Sequence, residues 1–228
     1  QQDGQTPCTL LASIWWQTGR KVPSPFREDF VTDLRKALAR HAWAKDDPFC
    51  LGIFIGNEFE WPDRFTPMVL NLPDADSTKQ WVIKQLKQKY QNLAALNAAW
   101  QTSLPTWLAA VRPGPKHQQT AAAKDIEPLY HPYAREFFRK SKEAIEQVLP
   151  GTLFLGCRCH RGPNVLGRAA VGFADVFSVN VYDSQVRSWQ VPEDADIPVI
   201  SSEFHFGAVD RGVPSPGLSA VWDQNQRG

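Results

Sequence analysis

Two glutamates end or interrupt apolar runs that read as β-strands. Glu58 closes Leu51-Gly-Ile-Phe-Ile-Gly-Asn57-Glu58, and Glu203 lies within Ile197 to Phe206. Side chains two apart share a face of a strand. On that rule Gly52, Phe54, Gly56 and Glu58 line one face, and Gly156, Arg158 and His160 line a second. Ser178, Asn180 and Tyr182 line a third, and Ser201, Glu203 and His205 a fourth. Each face turns polar toward its C-terminal end, where parallel α/β folds build their sites. A facing pair of carboxyl groups is the apparatus of glycoside cleavage: one protonates the leaving oxygen and the other attacks the anomeric carbon. Around such a pair, Asn57 is placed to meet a sugar 2-hydroxyl, and Tyr182 to hold Glu203. Arg158, Asn180 and His205 are placed to touch a carboxylate or sugar hydroxyls. Trp61, just beyond Glu58, reads equally as a sugar-stacking ring or as a loop anchor.

Other constellations carry less. Cys8, Cys50, Cys157 and Cys159 contain no C-x-x-C pair and read as buried free thiols. Cys159-His160 with His205 lacks a third ligand, so no metal site is expected there. His41 and His117 read as surface or loop residues, and Asp46, Asp47, Asp74 and Asp76 as turn or cap residues. A net charge of +1 gives no reason to expect nucleic acid as a partner. No apolar run is long enough to span a membrane. The opening Gln1-Gln2-Asp3-Gly4 is polar, unlike a signal peptide.

Apolar runs alternate with helical patterns, which predicts βα units, a parallel sheet and one domain over 1–228. Strands are expected at Thr9–Trp16, Leu51–Glu58, Thr152–Cys159, Val176–Tyr182 and Ile197–Phe206. Helices are expected over Phe26–Ala44, from Ser77 through Trp81 to Tyr90, over Leu93–Trp100, and from His131 to Pro150-Gly151. Ser77 with Gln80 suggests a capping box. Thr102 to Glu127, with Pro105, Pro113 and Pro115, reads as an irregular excursion walling a cleft. Leu218 to Gln226 reads as the start of a helix. About five strands are too few for the eight of a complete (β/α)8 barrel.

Gly56-Asn57-Glu58 resembles the Asn-Glu motif that ends the fourth strand of clan A glycoside hydrolases. Ser202-Glu203-Phe204-His205-Phe206-Gly207-Ala208-Val209-Asp210-Arg211-Gly212 resembles the nucleophile segment of the family 50 β-agarases. Pro25-Phe26 through Asp47-Pro48-Phe49 to Glu58 is similar to the stretch before that family's acid/base. Ala95-Leu96-Asn97-Ala98-Ala99-Trp100 resembles a motif shared with family 42 β-galactosidases. The resemblance implies a (β/α)8 TIM barrel, here partial, covering about strands 3 to 7. It also implies retention of configuration, cleavage of β-1,4 linkages in agarose or a related galactan, and no cofactor. Carried over, Glu58 is acid/base, Glu203 nucleophile, Asn57 the 2-hydroxyl partner and Tyr182 the partner of the nucleophile. Ile55-Gly56 departs from the family's usual Val-Asp, and Ser201-Ser202 stand where a Gly is expected. The absent strands imply missing segments or an oligomer that completes the barrel. A polymeric substrate implies a secreted or periplasmic protein. The competing readings are a β-galactosidase or other clan A glycosidase, and a carbohydrate-binding remnant without turnover.

Overall fold

The computed structural model describes residues 8–12, 22–160, 164–182, 195–204, 206–208, 219–221 and 223. The chain is α/β, and every described strand pair is parallel. Strand β1 (Cys8–Ala12) pairs with β2 (Cys50–Ile55). On its other edge β2 meets the segment before β3: Ile53 N–H donates to Leu153 O, Leu155 N–H to Ile53 O and Ile55 N–H to Gly156 O, each at 2.9 Å. That segment leads into β3 (Cys159–His160), which pairs with β4 (Phe177–Asn180), itself paired with β5 (Val199–Glu203). A separate pair is formed by β6 (Phe206–Ala208) and β7 (Ser219–Val221).

Parallel strands need crossovers that cover a face. Between β1 and β2 lies α1 (Phe30–Ala39), followed by a 3-10 turn (Ala42–Asp46). Between β2 and β3 lie α2 (Phe65–Asn71), α3 (Ser77–Tyr90), α4 (Leu93–Trp100), α5 (Trp107–Ala110), α6 (Lys116–Ile126) and α7 (Tyr130–Val148). Helix α8 (Asn164–Ala170) joins β3 to β4. Helix α7 carries the central apolar stripe: Tyr130, Tyr133, Ala134, Phe137, Phe138, Ala144 and Ile145 are buried at helical spacing. They share a core with Phe30, Leu34 and Leu38 of α1 and with Ile53, Ile55, Phe154, Cys157, Cys159, Phe177 and Val179 from the sheet. Phe54 and Leu155 are buried outside that cluster. Alternation along the strands therefore gives one face to the helices and leaves the other to build the site.

Several expectations are corrected. Phe26 is not helical; its ring stacks on Trp81 at 4.2 Å, and α1 starts only at Phe30. Asp76, not Ser77, caps α3, its carboxylate accepting from Thr78 and Lys79 N–H, while the Gln80 amide donates to Asp74 O. The stretch Thr102 to Glu127 is largely helical. Pro115 occupies the N-cap of α6, where its missing N–H costs nothing, and Ala121-Ala122-Ala123 favour the helix behind it. Ser219–Val221 is a strand, not a helix start. Ile197–Phe206 is divided into β5 and the start of β6, so seven strands occur among the described residues. Beyond Ala12, the first expected strand lies outside the described residues.

One buried acid ties the excursion together. Asp125 accepts from Lys89 Nζ at 2.5 Å, and from Tyr90 O–H and Trp100 Nε1–H at 2.7 Å each. Burial opposes its charge, but these three donors outweigh it and hold the carboxyl below its usual range. A depressed folded value stabilises the fold above the unfolded value of about 3.9 and is lost as pH falls through the folded value. Asp125→Ala is expected to cost about 2–4 kcal/mol in urea unfolding at neutral pH, because Trp100 and Tyr90 lose their acceptor. The deficit should shrink as pH falls below the unfolded value of about 3.9; a deficit independent of pH would contradict this account.

Candidate active site

Strand β2 ends at Ile55, and a tight turn carries Glu58 over the sheet. Gly56 has φ +78°, and a Cβ there would fall 2.1 Å from the Phe59 ring, so only glycine fits. Glu58 itself has φ +49°, and Arg158 has φ +46°. Left-handed backbone is uncommon outside glycine, and such strain gathers at functional sites. The two residues are joined, since Glu58 N–H donates to Arg158 O at 3.2 Å. The kink at Arg158 is held from β4, where the buried Ser178 Oγ accepts the Arg158 N–H at 2.8 Å.

Parallel register brings the other groups into a row. His160 on β3 is opposite Asn180 on β4, and Asn180 is opposite Glu203 on β5. The Asn180 amide nitrogen donates to Glu58 Oε1 at 2.9 Å and to Glu203 Oε2 at 2.8 Å. With the planar geometry of an NH₂ group, those two bonds set the accepting oxygens roughly 5 Å apart. Glu203 Oε2 also accepts from Arg158 Nη2 at 2.6 Å, and Glu203 Oε1 accepts from the Tyr182 hydroxyl. The Arg158 guanidinium lies over the Phe54 ring, 5.6 Å from its centroid. His160 Nδ1 is 3.8 Å from Glu58 Oε1. Burial, followed by the acceptor and charge of Glu203, pushes the Tyr182 phenol up to about 12.

Glu58, Glu203, Arg158, Asn180 and Tyr182 thus converge at one place. Of the other expected site residues, Trp61 does not join them. Trp61 is only 8% exposed, edge-on to Phe137 at 5.3 Å, and belongs to the helix-facing core. It is the loop anchor rather than the stacking ring, because α7 supplies an aromatic socket for it. Asn57 is half-buried with its Oδ1 enclosed and without a hydrogen-bond partner. His205 lies outside the described residues. Sequence reasoning passed over His160 as a neighbour of Glu58, and Ser178 and Ser202 as supports. His160 and Ser178 were already on the right faces by alternation; Ser202 was not.

No protein-family model matches the chain. The crystal structure of the agarase AgWH50C is 31% identical, with TM-score 0.77, over 97% of this chain and 35% of that one. An exo-β-agarase structure is 27% identical, with TM-score 0.71, over 90% of this chain and 30% of that one. The chain resembles the agarases of glycoside hydrolase family 50. Among curated proteins, β-agarase A of Vibrio sp. (strain JT0107) is 29% identical over 97% of this chain. The chain spans about a quarter, 24%, of that relative's length. The structure of Gan42B, a family 42 β-galactosidase, is 17% identical with TM-score 0.50, a likeness of fold alone. The α/β architecture is accordingly related to the TIM barrel.

The family 50 likeness leaves the Tyr182–Glu203 contact open to direct test. Ultraviolet titration, with Tyr182→Phe subtracted to isolate the phenol, should find it ionising near pH 12. In Glu203→Gln the negative charge is gone, and the phenol should move down toward the ordinary value of about 10. An unchanged titration would mean that the two groups do not meet in solution.

Proposed function

We propose that this chain carries the catalytic carboxylates of a retaining glycoside hydrolase that cleaves β-1,4-galactosidic linkages of agarose or a related galactan. The supporting observation is the unequal dressing of two carboxylates bridged by one amide. Glu203, with a guanidinium, an amide and a phenol aimed at it, suits the nucleophile. Among the described residues Glu58 takes one neutral N–H and has His160 beside it, and it suits the acid/base. The oxygen spacing of roughly 5 Å suits double displacement rather than the wider gap of inverting enzymes.

In this scheme the Glu58 carboxylic acid gives its proton to the glycosidic oxygen. Glu203 attacks the anomeric carbon as the leaving sugar departs, forming a glycosyl ester. Glu58, now a carboxylate, takes a proton from water. That water attacks the same carbon from the other side and releases Glu203, so configuration is retained. The scheme balances without a metal or cofactor. Residues 1–228 are read as one unit, a part of a (β/α)8 barrel corresponding to about strands 3 to 7. The remaining strands come from further segments of a longer protein or from another copy. Partners are polysaccharide or oligosaccharide, and a polymeric substrate places the protein outside the cytoplasm. Agarase names on the relatives, together with the barrel likeness, support the substrate class.

Hydrolysis of agarose and of an aryl β-galactoside, assayed side by side, tests the reading. Glu58→Ala and Glu203→Ala should each lower kcat by about 10³-fold or more. For Glu203→Gly, azide should restore turnover and yield the galactosyl azide of inverted configuration. Full activity in either alanine variant would discard the assignment. Cleavage of the aryl galactoside alone would transfer it to a β-galactosidase, and sugar binding without turnover, in a protein with the whole barrel, to a non-catalytic remnant.

A further inference from the structure

The register between β4 and β5 slips at the site. Val179 is opposite Ser201 and Asn180 is opposite Glu203, so Ser202 is an extra residue without a partner. Such a bulge re-aims the side chains beside it. Here it delivers Glu203 to Asn180 and Arg158, and it brings Ser202 Oγ to 2.9 Å from Asn180 Oδ1 and 3.1 Å from Val179 O. Asn180 is 4% exposed, so its amide has little water to fall back on. The amide orientation follows from its surroundings. One end faces Glu58 Oε1 and Glu203 Oε2, and the latter, an acceptor also to the Arg158 guanidinium, calls for a donor, so that end is assigned as nitrogen. Its oxygen therefore faces Ser202, the donor within reach.

The geometry points to Ser202 as a positioning residue: its hydroxyl fixes the Asn180 amide rotamer and, through it, the separation of the two carboxylates. Among the described residues the Ser202 hydroxyl meets Val179 O and Asn180 Oδ1 and neither carboxylate, so it acts through Asn180. Without the hydroxyl, Asn180 Oδ1 becomes a nearly buried acceptor without a donor among the described residues, and the amide is free to tilt. A tilt loosens both carboxylates together, because a single nitrogen serves both. The mechanistic consequence rests on the glycosidase reading above; the geometric claim does not.

The test pairs a structural readout with a kinetic one on the whole chain. Asparagine is labelled with ¹⁵N, and the Asn180 side-chain NH₂ signals are identified by their loss in Asn180→Ala. In the wild type both protons should resonate downfield and exchange slowly. Ser202→Ala should shift them upfield and speed exchange, and Ser202→Thr, which keeps a hydroxyl, should restore them. On agarose oligosaccharides Ser202→Ala should lower kcat about tenfold with KM within about twofold, and Ser202→Thr should recover most of it. Unchanged amide signals in Ser202→Ala would overturn the proposal. So would Ser202→Thr signals displaced like those of Ser202→Ala, since packing of the bulge rather than the hydroxyl would then set the amide. Signals behaving as expected in a protein that carries the whole barrel but hydrolyses no galactan would sustain the positioning role and sink the glycosidase reading instead.

Discussion

A single amide nitrogen between two carboxylates is the constraint around which this site is built. Two carboxylates about 5 Å apart repel by roughly 3 kcal/mol when both are ionised, even in a partly screened medium. Something must sit between them or beside them to make the arrangement tolerable. Asn180 donates one N–H to each, Arg158 adds a full positive charge on the Glu203 side, and Tyr182 adds a third donor there. The fold exists, from this point of view, to place Asn180 at the right height on β4. Parallel pairing with β3 and β5 does so, and the core of aromatic residues on α7 behind the sheet keeps those strands in place.

The donors also divide labour between acids that are identical in chemistry. Among the described residues a guanidinium, an amide and a phenol aim the Glu203 carboxylate, while Glu58 is held by a single amide. The difference arises from strand position alone. Glu203 lies in register beside β4, within reach of three side chains. Glu58 stands beyond the end of its strand on a left-handed turn, where fewer neighbours can follow it.

Much of this was legible from residue order, because strand alternation is a strong geometric rule and the polar residues appear at matching strand ends. Glu58, Arg158, Asn180, Tyr182 and Glu203 were all placed by that rule, and the structure brings them together. The rule fails where the backbone departs from it. Ser202 sits in a bulge that alternation does not foresee. Trp61 was ambiguous because a tryptophan in a loop looks the same whether the ring it meets belongs to a sugar or to Phe137. Helix α6 was hidden by the prolines around it, since Pro115 breaks a pattern when read as an interior residue and starts one when read as a cap. Asp125 gave no signal, because its donors, Lys89 and Tyr90 on one helix and Trp100 on the next, meet it only through tertiary packing.

The hydrogen bond from Glu58 N–H to Arg158 O has a mechanical meaning. Arg158 grips one acid by its main chain and the other by its guanidinium, and its own N–H is pinned to a hydroxyl on the neighbouring strand. The residue works as a rigid yoke. A displacement of the Glu58 backbone or of the Glu203 carboxylate is thus resisted by one and the same residue, through a hydrogen bond at each of its ends.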